Sequence, residues 1–169
     1  MIKSSHTFLI SVHPRWARGF FLTYNPKTIE LRKGSFGACL KPGDSIVIYS
    51  TLPVGEAIGT VKVVRRELLA LDRLWQTSEQ GRLAKVSRQQ FNAYYAQQES
   101  GIGVWVSSAE LFPSPIALCR LRQNWGNRWQ PPQQLQQLSD DRLAALNIAN
   151  LTDRYFVTDE PSRTMLSVI

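Results

Sequence analysis

Leu40-Lys41-Pro42-Gly43-Asp44-Ser45-Ile46-Val47-Ile48-Tyr49-Ser50 is the stretch that decides the fold. Proline at the second position of a tight turn presets φ, and glycine at the third supplies a positive φ. Pro42-Gly43 therefore reads as the centre of a type II turn. The six residues after the turn form a nearly continuous apolar run rich in β-branched side chains. Such a run reads as a strand buried on both faces, at the centre of a sheet.

Upstream, Lys27-Thr28-Ile29-Glu30-Leu31-Arg32-Lys33 alternates polar and apolar residues, as a half-buried strand does. Ile29 and Leu31 point one way; Thr28, Glu30 and Arg32 point the other. This strand is expected to lie beside Ser45–Ser50 in one barrel, with Ile29, Leu31 and Val47 buried. Thr7 to Val12 reads as a strand ended by His13-Pro14. Pro14 to Leu22 reads as a short helix, with Trp16, Ala17, Phe20 and Phe21 apolar and Arg15 and Arg18 together on one face.

Downstream, Pro53 to Gly55 turns into a strand over Glu56 to Val64, with Gly59 a bulge or close-approach point. Leu68, Leu69, Leu71, Leu74 and Trp75 suggest one apolar helix. Ser87 with Gln90 is a capping box that opens a second. Val104 to Ser108 returns to strand, and Pro113 and Pro115 are expected to break regular structure. Ser139-Asp140-Asp141 caps a last helix containing Leu143, Leu146 and Leu151. Strands joined by tight turns, with helices outside them, predict an α+β fold built on a small mixed barrel rather than βαβ units. One domain over residues 1–140 is expected, with residues 141–169 a helical extension packed on it.

The 169 residues carry a formal net charge of +7. Seven of the Lys and Arg side chains, and only one acidic residue, Glu30, lie in residues 1–41, so six of those seven charges sit in the first quarter. A local positive field of this kind draws phosphate. Cys39 and Cys119 form neither a disulfide framework nor a metal motif, and read as free thiols of a reducing cytoplasm. His6 and His13 have no ligand-spaced neighbours, so no metal and no cofactor are expected. Phe8 to Val12 is too short for a secretory signal, and no run approaches the roughly 20 apolar residues of a membrane span.

The Lys27–Arg32 strand, the helix before it, the Lys41-Pro42-Gly43-Asp44 turn, the strand ending Tyr49-Ser50, the Ala57–Val61 strand and Pro131-Pro132-Gln133 together resemble the ASCH domain family, over roughly residues 7–140. The resemblance implies a PUA-like barrel with a cleft lined by the Lys27–Arg32 strand, and RNA or a modified nucleoside as the partner. It also implies, as an alternative, a hydrolase acting on acetylated cytidine or on RNA in the same cleft. In the amidohydrolase relatives the lysine matching Lys27 is catalytic and a threonine follows three residues later. Here Glu30 holds that place, and a carboxylate is a poor nucleophile toward an amide. Glu110 is the only acidic partner suggested by position. A protein-interaction or co-regulator module, using the tryptophan-rich loop and the last helix, is a third reading.

Candidate binding residues follow from chemistry. Lys27 and Arg32 can hold phosphate or a base edge, and Glu30 can accept from an exocyclic amine. The competing reading is a strand face on which Glu30 and Arg32 simply pair. Thr28 shares that face, and Lys33, Arg15 and Arg18 add charge. Tyr49 and Ser50 end the buried strand, either at a cleft or as a barrel-edge anchor. Trp125 and Arg128 sit in a proline-bounded loop that either stacks bases or is stapled to the body by its rings.

Overall fold

In the computed structural model described here, residues 5–147 are described. Ser45–Ser50 is a strand, as expected. It is β3, after β1 (Thr7–Val12) and β2 (Ile29–Arg32), and before β4 (Glu56–Ala70), β5 (Ser100–Ala117) and β6 (Leu135–Gln137). The helices are α1 (Pro14–Ala17), continued by a 3-10 turn over Arg18–Phe21, then α2 (Leu71–Thr77), α3 (Arg88–Tyr94) and α4 (Leu118–Trp125). A further helix, α5, covers residues 140–147. Leu151 lies outside the described residues.

The six strands form one mixed sheet in the order β2-β5-β4-β3-β1-β6. β1 runs parallel to β3, and the other pairings are antiparallel. β3 is buried on both faces because its alternate side chains feed two cores. Ile46 and Ile48 join Phe8, Ile10, Phe20 and Val61 inside the curl; Val47 and Tyr49 join Leu9, Leu121, Trp129 and Leu146 on the outside. A third cluster, around Ile29, Leu74, Phe91, Tyr95 and Trp105, fastens α2 and α3 to the β2–β5 edge.

The Pro42-Gly43 turn forms as read, with Gly43 at φ +93°. Its aspartate is a tie. Asp44 is buried and accepts from the Lys41 and His6 backbone amides at 2.8 and 2.9 Å, locking the turn to the entry of β1.

Three expectations are corrected. β2 does not lie beside β3; it pairs with β5, Ile29 opposite Trp105 and Arg32 opposite Ile102. Residues 33–44 are long enough to carry the chain across the sheet, and no short turn forces a β2–β3 hairpin. Leu68 and Leu69 are strand, not helix. β4 runs on to Ala70 because Leu68 and Leu69 pair with Ile102 and Gly101 of β5, and α2 begins at Leu71. Pro113 and Pro115 do not end the strand. They fall in the bulge between Leu111 and Ile116, where β5 skips partners in β4, and β2 pairs only as far as Trp105. Proline is tolerated on such an unpaired strand edge.

The sheet is curled enough to bring its two sides together. β2 is at one edge and β1 is next to the other, yet the Arg32 guanidinium Nη2 donates to the Ser11 carbonyl at 2.7 Å. β6 pairs with β1 only over Phe8–Ile10, which leaves the β1 edge open at Ser11. The barrel is therefore closed at this seam by a side chain instead of a ladder.

Candidate nucleic-acid interface

Strand alternation turns Glu30 and Arg32 to the seam while Ile29, on the opposite face, is buried in the third core. Lys27 precedes β2 and is anchored by a backbone bond from its amide to the Gly19 carbonyl at 2.7 Å. Its ammonium lies 2.5 Å from Glu30 Oε2 and 4.7 Å from the centre of the Phe20 ring. Arg32 Nε donates to Glu30 Oε1 at 2.8 Å. One carboxylate thus bridges two cations, and the triad keeps a net charge of +1.

Lys27 and Glu30 are each about 5% exposed, so solvent screens the pair little. Burial pulls the Lys27 ammonium below its ordinary value, against the attraction of Glu30. Burial pushes the Glu30 carboxyl up, but the charges of Lys27 and Arg32 and their hydrogen bonds outweigh it and hold it below the usual carboxylate range.

The triad lines a cavity of about 200 Å³. Its other walls come from the β1 end and α1 (Ser11, His13, Trp16) and from α3 (Gln90, Phe91, Tyr94). Trp16 is held by a bond from its indole N–H to the Lys85 carbonyl at 3.1 Å. The capping box of α3 is complete: Gln90 Oε1 accepts from the Ser87 amide and Ser87 Oγ from the Gln90 amide. That cap sets where Gln90, Phe91 and Tyr94 face the cavity. The Ser11 hydroxyl is buried with no hydrogen-bond partner.

Two exposed cations sit on aromatic walls of the cavity: Arg15 lies 5.8 Å from the Trp16 ring centre and Lys33 lies 4.4 Å from that of Tyr94.

Of the residues singled out in the sequence, Lys27, Glu30 and Arg32 therefore meet in one cavity, and Arg15 and Lys33 stand beside it. Thr28 is half-buried next to the triad, with its backbone bonded to Leu83 and Val106. Arg18 and Ser50 line a second hollow, beside the 3-10 turn that continues α1. Tyr49 is buried in the outer core, edge-on to Trp129 at 6.3 Å, and burial raises its phenol. Trp125 donates to the Arg142 carbonyl and packs on Trp129 at 4.9 Å, while Arg128 is exposed beside them. Glu110 is exposed on β5, opposite Thr60, and does not line the cavity.

Sequence reading did not place Ser11, His13, Trp16, Gln90, Phe91 and Tyr94 at one site. Their separation along the chain holds no signal, and only the capping box hinted that α3 presents a fixed face. Among the described residues, no group of His, Cys, Asp or Glu is arranged to hold a metal ion, and no helix is long and apolar enough to cross a membrane.

The sequence matches no family model and no curated protein. The structure is similar to several solved ones. The crystal structure of ASCH from Zymomonas mobilis aligns with a TM-score of 0.76 at 26% identity, over 85% of this chain and 94% of that one. A hypothetical protein from Leishmania major aligns at 0.55 and 14% identity, over 91% and 99% of the two chains. The N-terminal domain of Staphylothermus marinus McrB aligns at 0.56 and 9%, over 85% and 94%, which is a likeness of fold. A curled mixed sheet with a cavity at its open seam and helices outside it is a PUA-like fold. Within that class, the Lys27–Arg32 strand, the Pro42-Gly43-Asp44 turn and the Zymomonas likeness make this chain similar to the ASCH domain.

Proposed function

We propose that this protein binds single-stranded RNA, or a modified nucleoside, by taking one base into the Lys27–Glu30–Arg32 cavity. The observation that carries the reading is a bridged, buried Lys27–Glu30–Arg32 triad inside an aromatic-walled cavity with exposed cations beside it. About 200 Å³ is below the roughly 300–1,000 Å³ of sites for drug-sized ligands, and suits one planar base rather than a folded oligonucleotide. Trp16 and Tyr94 offer ring faces for a base. The triad, the Ser11 hydroxyl and Gln90 offer hydrogen bonds to its edge. Arg15 and Lys33 are placed for the phosphates, which such proteins contact for position rather than sequence.

A lysine–carboxylate pair at 2.5 Å is also within reach for proton transfer, so the hydrolase alternative would use the same cavity. Binding is preferred because Glu30 stands where the amidohydrolase relatives carry a threonine, and a carboxylate is a poor nucleophile toward an amide. The test is calorimetric titration of nucleosides, acetylated cytidine among them, and of short single-stranded RNA and DNA, with wild type, Lys27→Met and Arg32→Ala. Binding that falls about tenfold or more in both variants, with the fold retained, supports the reading. Absence of any nucleoside or oligonucleotide binding by wild type, or affinities unmoved by both substitutions, overturns it.

A further inference from the structure

The α1 segment and its 3-10 continuation contribute to two hollows. The Lys27 cavity takes His13 and Trp16 from it, and a second groove of about 450 Å³ takes Arg18, Phe21 and Leu22. The groove is completed by the end of β3, the start of β4 and the bulged part of β5, chiefly Ser50, Glu56 and Phe112. Phe21 can lie against β4 only because residue 59 is glycine. A Cβ there would come within 2.7 Å of the Phe21 ring and 2.4 Å of the Glu110 carbonyl.

Ser50 is 1% exposed, and its hydroxyl has no hydrogen-bond partner. Buried hydroxyls are normally satisfied, so an orphan on the wall of an open groove points to a partner that arrives with a ligand. Around it the groove is apolar and aromatic, with one cation, Arg18, and one carboxylate, Glu56. That is the chemistry of a base pocket. Ring faces can stack on a base, the hydroxyl and carboxylate can bond its edge, and the carboxylate keeps phosphate out of the interior.

Arg15 and Arg18, both exposed, stand on the segment between the two hollows. Arg18 lies five positions after His13. At the 1.5–2.0 Å rise of α- and 3-10 helices that is roughly 8–10 Å, the reach of a short run of nucleotides.

We propose that the groove is a second subsite of the same interface. It holds a nearby base of the single strand whose first base occupies the Lys27 cavity, and the intervening phosphates pass Arg15 and Arg18. The inference rests on the function proposed above, and its test separates the two. Affinities of mononucleotides and of homo-oligoribonucleotides of two to four residues are measured on wild type, Arg18→Ala and Ser50→Ala, with melting temperatures on the same samples. Ser50→Ala removes an unsatisfied hydroxyl, so a melting temperature held or raised excludes misfolding as the cause of weaker binding.

The expected result is an oligomer bound at least about tenfold more tightly than a mononucleotide, with most of that gain lost in each variant and mononucleotide affinity unchanged. Oligomers that bind no better than mononucleotides, or a gain that survives both substitutions, overturn the second subsite and leave the first reading standing. Oligomer binding that needs Arg18 and Ser50 while no mononucleotide binds would keep the groove and remove the Lys27 cavity. No binding of either probe removes both.

Discussion

The Arg32 guanidinium joins two strands that share no ladder. Its Nη2 donates to the Ser11 carbonyl at 2.7 Å, so a side chain of β2 closes the sheet against β1. The same guanidinium donates through Nε to Glu30. Barrel closure and the candidate binding triad are thus one structure. The two sequence readings of Arg32, ligand contact or partner of Glu30, do not compete in geometry, because the Glu30 pair is itself part of the cavity wall.

From that double role, Arg32→Ala should lower stability by about 1.5–3 kcal/mol, the usual worth of hydrogen bonds to a charged group. It should also weaken nucleoside binding. Arg32→Lys keeps the charge but lacks the planar fork that reaches Glu30 and Ser11 together, so it should recover only part of either loss. Denaturant titrations and calorimetry on the same samples check this. An unchanged denaturation midpoint in Arg32→Ala would show that the seam does not depend on it.

Glu30 gives a pH dependence with a definite sign. Its folded carboxyl is held below its unfolded value, so it contributes stability that is present above about pH 4.5 and is lost as pH falls through the folded value. Wild type should therefore lose stability below about pH 4.5 more steeply than Glu30→Gln, which has no proton to bind there. Parallel stability curves between pH 3 and pH 6, measured on the two proteins at roughly constant ionic strength, would contradict this.

Ile29 provides the control. It is fully buried in the third core, on the face of β2 away from the triad. Ile29→Ala should cost about 2–5 kcal/mol through the cavity it leaves, with nucleoside affinity per folded molecule unchanged. Melting curves and binding isotherms separate this from the triad substitutions.

Asp44 tests whether the Pro42-Gly43-Asp44 turn is structural. Its carboxylate accepts from two backbone amides, and it is 2% exposed. Asp44→Ala leaves both donors unpaired and should lower stability by about 2–4 kcal/mol. Asp44→Asn, which retains one acceptor, should lose less. Equal stability of the two variants in chemical denaturation would refute the tie.

Salt should weaken RNA binding. Each phosphate neutralised on a single strand adds about 0.7 to the slope of log affinity against log salt. Arg15→Ala and Lys33→Ala should each reduce that slope while sparing nucleoside affinity, since both side chains sit outside the triad. A salt-independent affinity would mean that phosphates are not contacted.

Local chemistry made a large part of the molecule legible in the sequence. The turn at Pro42-Gly43, the doubly buried strand Ser45–Ser50, the alternation of β2 and the capping box at Ser87 and Gln90 are each written within a few residues. Each of these elements forms in the structure, but burial does not alternate along β2: Glu30 is buried with Ile29, and Leu31, expected buried, is half-buried. The same locality placed Glu30 and Arg32 on one side of β2, whereas Lys27, which precedes the strand, reaches Glu30 only in the folded structure. Where the chain was misread, long-range pairing overrode a local signal: β5 held Leu68 and Leu69 in strand against their helical spacing, and a bulge made room for Pro113 and Pro115.

What the tertiary structure alone decided is which surfaces meet. β2 could be recognised as a strand but not as the partner of β5, because strand order depends on how the connection over residues 33–44 crosses the sheet, and no periodicity encodes that. The cavity has the same origin. Ser11, the Lys27–Arg32 stretch and Tyr94 lie far apart along the chain and meet only because the sheet curls until β2 faces β1. Alternation within a strand sets which side a residue faces, whereas the packing of three separate cores sets what it faces, and the binding chemistry arises from the second.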